Sequence, residues 1–267
     1  MKLGIIGTGN MATAIVEGVL KKHFLDNNDI YCYNIFPHEM TKFAHKFNIN
    51  KCETNEELVA KSNYILLAVK PHHIKGVLEQ IKPYLNDNKT IISIAAGVNM
   101  SDIEEVISKD IPLVRVMPNI NAVVQEGAAG ITWNKAVNQN QENIVLNLFN
   151  SIGKTYLIEE KDFPTYSAIA GCSPAFTYLF IDAIARAALK NGLNKEQAVK
   201  IAAQAVYGSA KMLLETEEHP FEMIDRVCSP GGTTIAGITS LENDAFTGKI
   251  MKAIQDSINR DYELQKK

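Results

Sequence analysis

The sequence predicts an α/β domain built on a mostly parallel sheet with helices on both faces, followed by an all-α domain. Three observations carry this. Short, continuously apolar runs alternate with helical stripes through the first part of the chain, the pattern of a parallel sheet covered on both sides. A glycine-rich turn links the first such run to the first helix. From Asp162 onward no further strand pattern occurs and the chain reads as helix to its end. The border is expected near residue 160, giving domains over 1–160 and 161–267.

Composition narrows the function classes. With 267 residues, 46% of them hydrophobic, the chain can bury a substantial core. A net charge of −3 gives no attraction to nucleic acid or to an anionic membrane surface. The four cysteines (Cys32, Cys52, Cys172, Cys228) lack CxxC spacing and the six histidines form no ligand cluster. Reduced thiols, a cytoplasmic setting and no metal are therefore expected. The N-terminus enters a strand at once, so no signal peptide is expected either. The most apolar later stretch, Ala175 to Leu189, carries Asp182 and Arg186 four residues apart, a spacing that pairs them on one helix face. It reads as a buried helix rather than a membrane span.

Residues 2–6 form the first strand. Gly7-Thr8-Gly9-Asn10-Met11-Ala12 follows, and Ile15, Val16, Val19 and Leu20 then make a helical stripe. This G-x-G-x-x-A between strand and helix is the context a dinucleotide fingerprint requires. Gly7 permits the tight turn, Gly9 lets backbone approach a diphosphate, and Ala12 lets helix and strand pack closely. A Rossmann-like domain is expected. The second strand, Ile30 to Asn34, ends without the acidic residue that would hold a ribose 2′-hydroxyl. Asn34 does not repel a 2′-phosphate, so NADP(H) is favoured, although no arginine follows and NAD(H) stays possible. Asn34 reads equally as a strand-end cap.

Further strands are expected at 49–52, 64–69, 90–95, 113–116, 129–133 and 155–158, with helices between them. Ligands sit at the carboxyl ends of parallel strands. Two such ends are Ala68-Val69-Lys70-Pro71 and Ala95-Ala96-Gly97; Lys70 there is either a ligand or a solvated terminus. A third is Met117-Pro118-Asn119, whose amide can touch nicotinamide or substrate, or simply cap a turn. In the helical part, Ser173-Pro174 is expected to cap and start a long helix that stops at Asn191-Gly192. Near its end lies Ser229-Pro230-Gly231-Gly232-Thr233-Thr234, opening another helix. Adjacent glycines, three hydroxyls and a helix N-terminus make an anion cradle. The same run also reads as an ordinary Pro-Gly-Gly turn with a Thr cap.

Taken together, Gly7-Thr8-Gly9-Asn10-Met11, Ala68-Val69-Lys70-Pro71, Arg115-Val116-Met117-Pro118-Asn119 and Val227 to Thr234 resemble the motifs of pyrroline-5-carboxylate reductase, over essentially the whole chain. The resemblance implies reduction of (S)-1-pyrroline-5-carboxylate to L-proline with NAD(P)H, and a dimer made by interleaved helical domains, each site using both chains. It implies a carboxylate held by the hydroxyls of Ser229 and Thr234 and by the main-chain N–H groups of Gly232 and Thr233, with Gly231 also lining the substrate. Thr234 would face the ring nitrogen as the catalytic candidate, with Asn119 beside the substrate. Gly7, Thr8, Gly9, Asn10, Met11, Asn34, Asn55, Ala68, Val69, Lys70, Pro71 and Ala95 would line the cofactor. The chain departs from the family pattern at Cys172-Ser173, Phe176, Ile120-Asn121 and after Asn34. Two other readings stand beside this one. A β-hydroxyacid dehydrogenase would need a lysine on the long helix, where Lys190 lies at the far end. A non-catalytic paralogue would bind nucleotide as a sensor or assembly partner.

Overall fold

The computed structural model describes residues 1–265. Eight strands form one sheet: β1 (Leu3–Ile6), β2 (Ile30–Tyr33), β3 (Asn50–Lys51), β4 (Tyr64–Leu67), β5 (Thr90–Ser93), β6 (Leu113–Pro118), β7 (Gly127–Trp133) and β8 (Gly153–Leu157). Across the sheet they run β3-β2-β1-β4-β5-β6-β7-β8. All neighbours are parallel except β6 and β7. The link between those two is a short 3-10 segment, Ile120–Val124, too short for a crossover helix, so the chain must reverse.

Helices α1 (Asn10–Lys21), α2 (Pro37–Phe47), α3 (Asn55–Lys61), α4 (Ile74–Ile81), α5 (Met100–Ile107) and α6 (Gln139–Asn150) cover the sheet. Alternate residues of each central strand feed opposite faces. Leu3, Ile5 and Leu66 pack with Ile15, Val16 and Phe149 on one side. Ile6, Ile65 and Leu67 pack with Leu58, Leu78 and Ile103 on the other. Both faces are dry, which is why these strands read as unbroken apolar runs.

Beyond β8 the chain is helical: α7 (Phe163–Tyr166), α8 (Ser173–Lys190), α9 (Lys195–Thr216), α10 (Pro220–Val227), α11 (Thr233–Asn243) and α12 (Phe246–Gln265). Two compact units result, one of residues 1–171 with the end of α12 from Ile258, the other Cys172–Ser257.

Two expectations for the long helix need correction. Ser173 does not cap it: α7 runs through a π-helical segment, Ser167–Cys172, straight into α8, and the residue before α8 is already helical at φ −90°, ψ −34°. Proline inside a continuous helix removes one i→i−4 bond, and the widened turn lies immediately before Pro174. Nor is the helix buried. Only Pro174 and Ala185 of α8 are buried, while Tyr178, Leu179, Phe180, Ile184 and Leu189 face outward. By length and composition alone the helix at 160–190 is apolar enough to cross a bilayer. Its stop is as expected, with Gly192 in the left-handed region at φ +94°. Asp182 pairs with Arg186 as the spacing predicts, and also with Lys195 at 2.8 Å. The buried residues of α8 and α9 are Ala185, Ala198 and Ala202 with Pro174, so the pair meets through small side chains.

Candidate functional site

The strand order reverses direction between β1 and β4, and a crevice forms at such a switch point. Gly7 leaves β1 at φ +97°, where a Cβ would lie 2.7 Å from the Ala68 carbonyl oxygen. The turn therefore requires glycine twice over. Gly9 precedes α1 without any side-chain cap, so the first N–H groups of that helix are unspent. A Cβ on Gly9 would meet no protein atom; the space above it is open to a ligand. Ala12 is fully buried against the sheet, the role expected of it.

Beside this turn lies a cavity of about 270 Å³, lined by Gly7, Asn34, Asn55 and Val69 among the expected cofactor residues. Asn34 is held on both sides. Its Nδ2 donates to Thr8 Oγ1 at 2.5 Å and its Oδ1 accepts from the Phe36 N–H at 3.0 Å. Asn34 thus braces the end of β2 and also lines the cavity. Asn55 opens α3 and is 6% exposed; its Nδ2 donates to Gln80 Oε1 at 2.7 Å, while its Oδ1 is buried with no partner. An orphaned buried acceptor of this kind costs about 1–3 kcal/mol unless something donates to it. Gly76, in the first turn of α4, also lines the cavity, and a Cβ there would touch nothing. No protein contact explains a helix-weakening glycine at that position. Open glycines, unspent helix N–H groups and an orphaned acceptor fit an adenine dinucleotide.

Other expected residues fall elsewhere. Asn10 and Lys70 are exposed, Met11 and Ala68 half-buried. Ala95 is 6% exposed and its methyl packs in the core, leaving only its backbone to meet a ligand. Pro71 lines a larger groove of about 520 Å³ on the far side of α4, walled by Lys75, Glu79, Lys82, Asp102 and Glu105. That groove lacks the glycine turn and the open helix end. Sequence reading missed one wall of the crevice: His72 and His73 on the turn after β4, and Gly76, Val77 and Gln80 on α4. The signal was the glycine within an otherwise amphipathic helix.

Asn119 ends β6 and is 7% exposed; its Nδ2 donates to the Ala170 carbonyl at 2.9 Å and its Oδ1 accepts from the Ala128 N–H at 3.1 Å. Arg115 is likewise buried. Its guanidinium donates to Asn99 Oδ1 at 2.9 Å and Glu160 Oε1 at 2.8 Å, and lies 4.4 Å from the Phe163 ring centre. Glu160 Oε1 also accepts the Met100 N–H at 2.6 Å, so one carboxylate ties the segment after β5 to the start of the long helix.

In the helical unit, His219 caps α10 through Nδ1, accepting from the Phe221 N–H at 3.2 Å. After α10 the loop Ser229–Gly232 turns through Gly231 at φ +68° and closes with the Gly232 N–H on the Ser229 carbonyl at 3.0 Å. A Cβ on Gly232 would collide with Ser229 Oγ. Gly232 precedes α11 with no side-chain cap. The first N–H groups of α11 are therefore unspent, and among the described residues the hydroxyls of Ser229, Thr233 and Thr234 have no partner. A Thr cap, the ordinary reading of this run, is not what forms. What forms is a cluster of donors at the positive end of a helix, with Thr234 half-buried and Ser229 and Thr233 exposed.

Among the described residues no group of His, Cys, Asp and Glu could hold a metal. Cys32 lies on β2 and Cys52 just after β3, its N–H donating to the Cys32 carbonyl at 3.0 Å, and burial pushes their thiols up to about 12 and about 11. They are core residues without nucleophilic character.

Known proteins resemble this chain in both its sheet and its helical part. Residues 160–264 match the pyrroline-5-carboxylate reductase dimerisation domain, and residues 2–97 match the NADP oxidoreductase, coenzyme F420-dependent, domain. The chain is 37% identical to pyrroline-5-carboxylate reductase of Escherichia coli (strain K12), over 99% of this chain and 98% of that protein. The chain belongs to the pyrroline-5-carboxylate reductase family. The fold of a pyrroline-5-carboxylate reductase from Coxiella burnetii superposes with a TM-score of 0.93 at 33% identity, covering 98% of both chains. The Plasmodium falciparum pyrroline carboxylate reductase with NADP bound superposes with a TM-score of 0.87 at 34% identity, covering 99% of this chain and 98% of that one. Within this reductase family the N-terminal sheet and the helical region are thus the two expected parts.

Proposed function

We propose that this chain reduces (S)-1-pyrroline-5-carboxylate to L-proline, the last step of proline synthesis, with a reduced nicotinamide cofactor. The observation that carries the reading is the cluster of unspent donors at residues 229–235 in a chain of this family. A small carboxylate suits it: Ser229 and Thr234 supply hydroxyls and the Thr233 and Thr234 N–H groups supply the helix end, while Gly231 and Gly232 make the turn, the Gly232 N–H being already engaged by the Ser229 carbonyl. Bound in the crevice, NAD(P)H supplies the hydride that reduces the imine carbon. The chain's task is to hold the imine plane, exclude water and deliver one proton to the ring nitrogen. Thr234 is the candidate for that nitrogen, orienting it or relaying the proton. Positioning carries most of the work, because an iminium accepts hydride readily; no catalytic His or Lys is called for.

Gly7, Thr8, Gly9, Asn10, Met11, Asn34, Asn55 and Val69 are assigned to the cofactor, with backbone at Ala68, Lys70, Pro71 and Ala95. Asn119 is assigned to bracing the backbone near the substrate. The cofactor is NADPH by preference, because no carboxylate stands at the end of β2, and NADH remains a substrate. The outward apolar side chains of the helical unit are covered by a second copy of this chain, making a homodimer in the cytoplasm rather than a membrane protein.

The test is oxidation of NADPH and of NADH in the presence of pyrroline-5-carboxylate, run beside its six-membered homologue, with L-proline identified as product. Thr234→Ala should cut turnover well beyond any loss of cofactor affinity; near-normal turnover removes Thr234 from the mechanism. Tight NADP(H) binding without imine-dependent oxidation would mark a nucleotide-binding protein without catalysis.

A further inference from the structure

In a sheet of this order the residues after β2 meet the 2′ position of the adenosine ribose. Here they are Asn34, Ile35 and Phe36, none of them charged, and both ends of the Asn34 amide are already engaged by Thr8 and the Phe36 N–H. No Lys, Arg, Asp or Glu lines the 270 Å³ crevice. Nothing there repels a 2′-phosphate, yet the usual cation that would hold one is missing from this wall. On the wall formed by the turn after β4 stand His72 and His73. Their rings lie 4.1 Å apart, tilted by 54°. Both are exposed, and among the described residues neither side chain has a partner beyond this mutual ring contact. Lys75 belongs to the other groove, across α4, with Glu79 and Lys82, and Lys70 does not line the crevice. The two imidazoles are thus the ionisable nitrogen donors that the crevice offers.

We propose that His72 and His73 recognise the 2′-phosphate of NADPH, in place of an arginine after β2. Two ring N–H donors whose centroids lie 4.1 Å apart on one cavity wall are close enough to share one phosphate, and charge-assisted bonds to phosphate are about twice as strong as neutral ones. The open face beside them, left by Gly76, admits the adenosine. This rests on reading the crevice as the dinucleotide site.

Calorimetric titration with 2′,5′-ADP and with 5′-ADP tests it without turnover. The full chain should bind 2′,5′-ADP more tightly than 5′-ADP. The double variant His72→Ala with His73→Ala, its fold checked by circular dichroism, should lose roughly tenfold or more for 2′,5′-ADP and less than about twofold for 5′-ADP. The KM for NADPH should rise in step while that for NADH holds. Equal loss for both probes means that the rings stack on adenine and overturns the proposal. So does no loss for either, and so does failure of the unaltered chain to bind either probe. Failure of the proposed reaction would appear separately, as no imine-dependent oxidation of NADPH or NADH by the unaltered chain.

Discussion

Asn119 donates to the main-chain carbonyl of Ala170, fifty-one residues away, across a 2.9 Å hydrogen bond. Pro174, four residues beyond Ala170, has no N–H to offer that carbonyl. The asparagine satisfies an acceptor in the π-helical turn while its own oxygen holds the Ala128 N–H at the start of β7. Asn119→Ala would strand the buried Ala170 carbonyl and the partly buried Ala128 N–H, the first costing about 1–3 kcal/mol and the second less. Denaturant unfolding should show a loss of roughly 2–4 kcal/mol. Asn119→Asp, which keeps the acceptor and loses the donor, should fall between.

Three glycines of the crevice are expected to separate stability from binding. Gly7→Ala forces a residue with a Cβ to φ +97° and against the Ala68 carbonyl, so it should unfold at distinctly lower denaturant. Gly9→Ala meets no protein atom and should leave stability unchanged while weakening NADPH binding. Gly76→Ala should stabilise α4 by up to about 1 kcal/mol and still weaken cofactor binding. Melting curves with and without NADPH distinguish the three.

The Arg115–Glu160 pair predicts an unequal response. The Arg115 side chain is 6% exposed, that of Glu160 35%. Glu160→Ala leaves a guanidinium in the core with Asn99 and the Phe163 ring alone, whereas Arg115→Met leaves a carboxylate that reaches water and keeps the Met100 N–H. Removing one partner of a buried pair costs about 3–5 kcal/mol. The glutamate variant should approach that range and the arginine variant fall short of it. Equal losses would mean the guanidinium is not held by charge.

Much of this was legible in the sequence because the information was local. The turn at Gly7 and Gly9, the unbroken apolar strands and the loop at Gly231-Gly232 each follow from short-range rules of backbone and burial. The bonds of Asn119 and Arg115 were not legible, since their partners Ala170 and Glu160 lie 51 and 45 residues away. The exposure of α8 was missed for a different reason. Apolar composition signals burial without saying what does the burying, and Tyr178 and Leu179 find little cover in one chain. Likewise the α4 wall of the crevice is set by which helix face the sheet leaves open, and only Gly76 hinted at it.

Burial of Cys32 and Cys52 raises both thiols in the folded chain, from the ordinary 9.0 to about 12 and about 11. Between those values the unfolded chain has lost protons that the folded one retains, so folding stability is fully present below about 9 and falls as pH rises. Urea unfolding should show this loss between pH 9 and 11. Replacing both residues by Ala should reduce the alkaline loss, at some cost in stability at pH 7 from the lost sulfur volume. Thiol reagents should label these two only on unfolding.

The outward face of the helical unit gives the last prediction. Leu179 on α8 is 71% exposed and Leu214 on α9 75% exposed. Leucine at either position contributes little to a single chain, so Leu179→Glu and Leu214→Glu should leave the monomer's stability within about 0.5 kcal/mol. In a homodimer that covers this face each substitution buries an unpaired carboxylate, which costs far more than the lost contact. Sedimentation should therefore find a dimer for the unaltered chain and a monomer for the charged variants, with imine reduction lost alongside if each site draws on both chains. A monomeric unaltered chain at micromolar concentration would overturn the homodimer, and charged variants that stay dimeric would place the interface elsewhere.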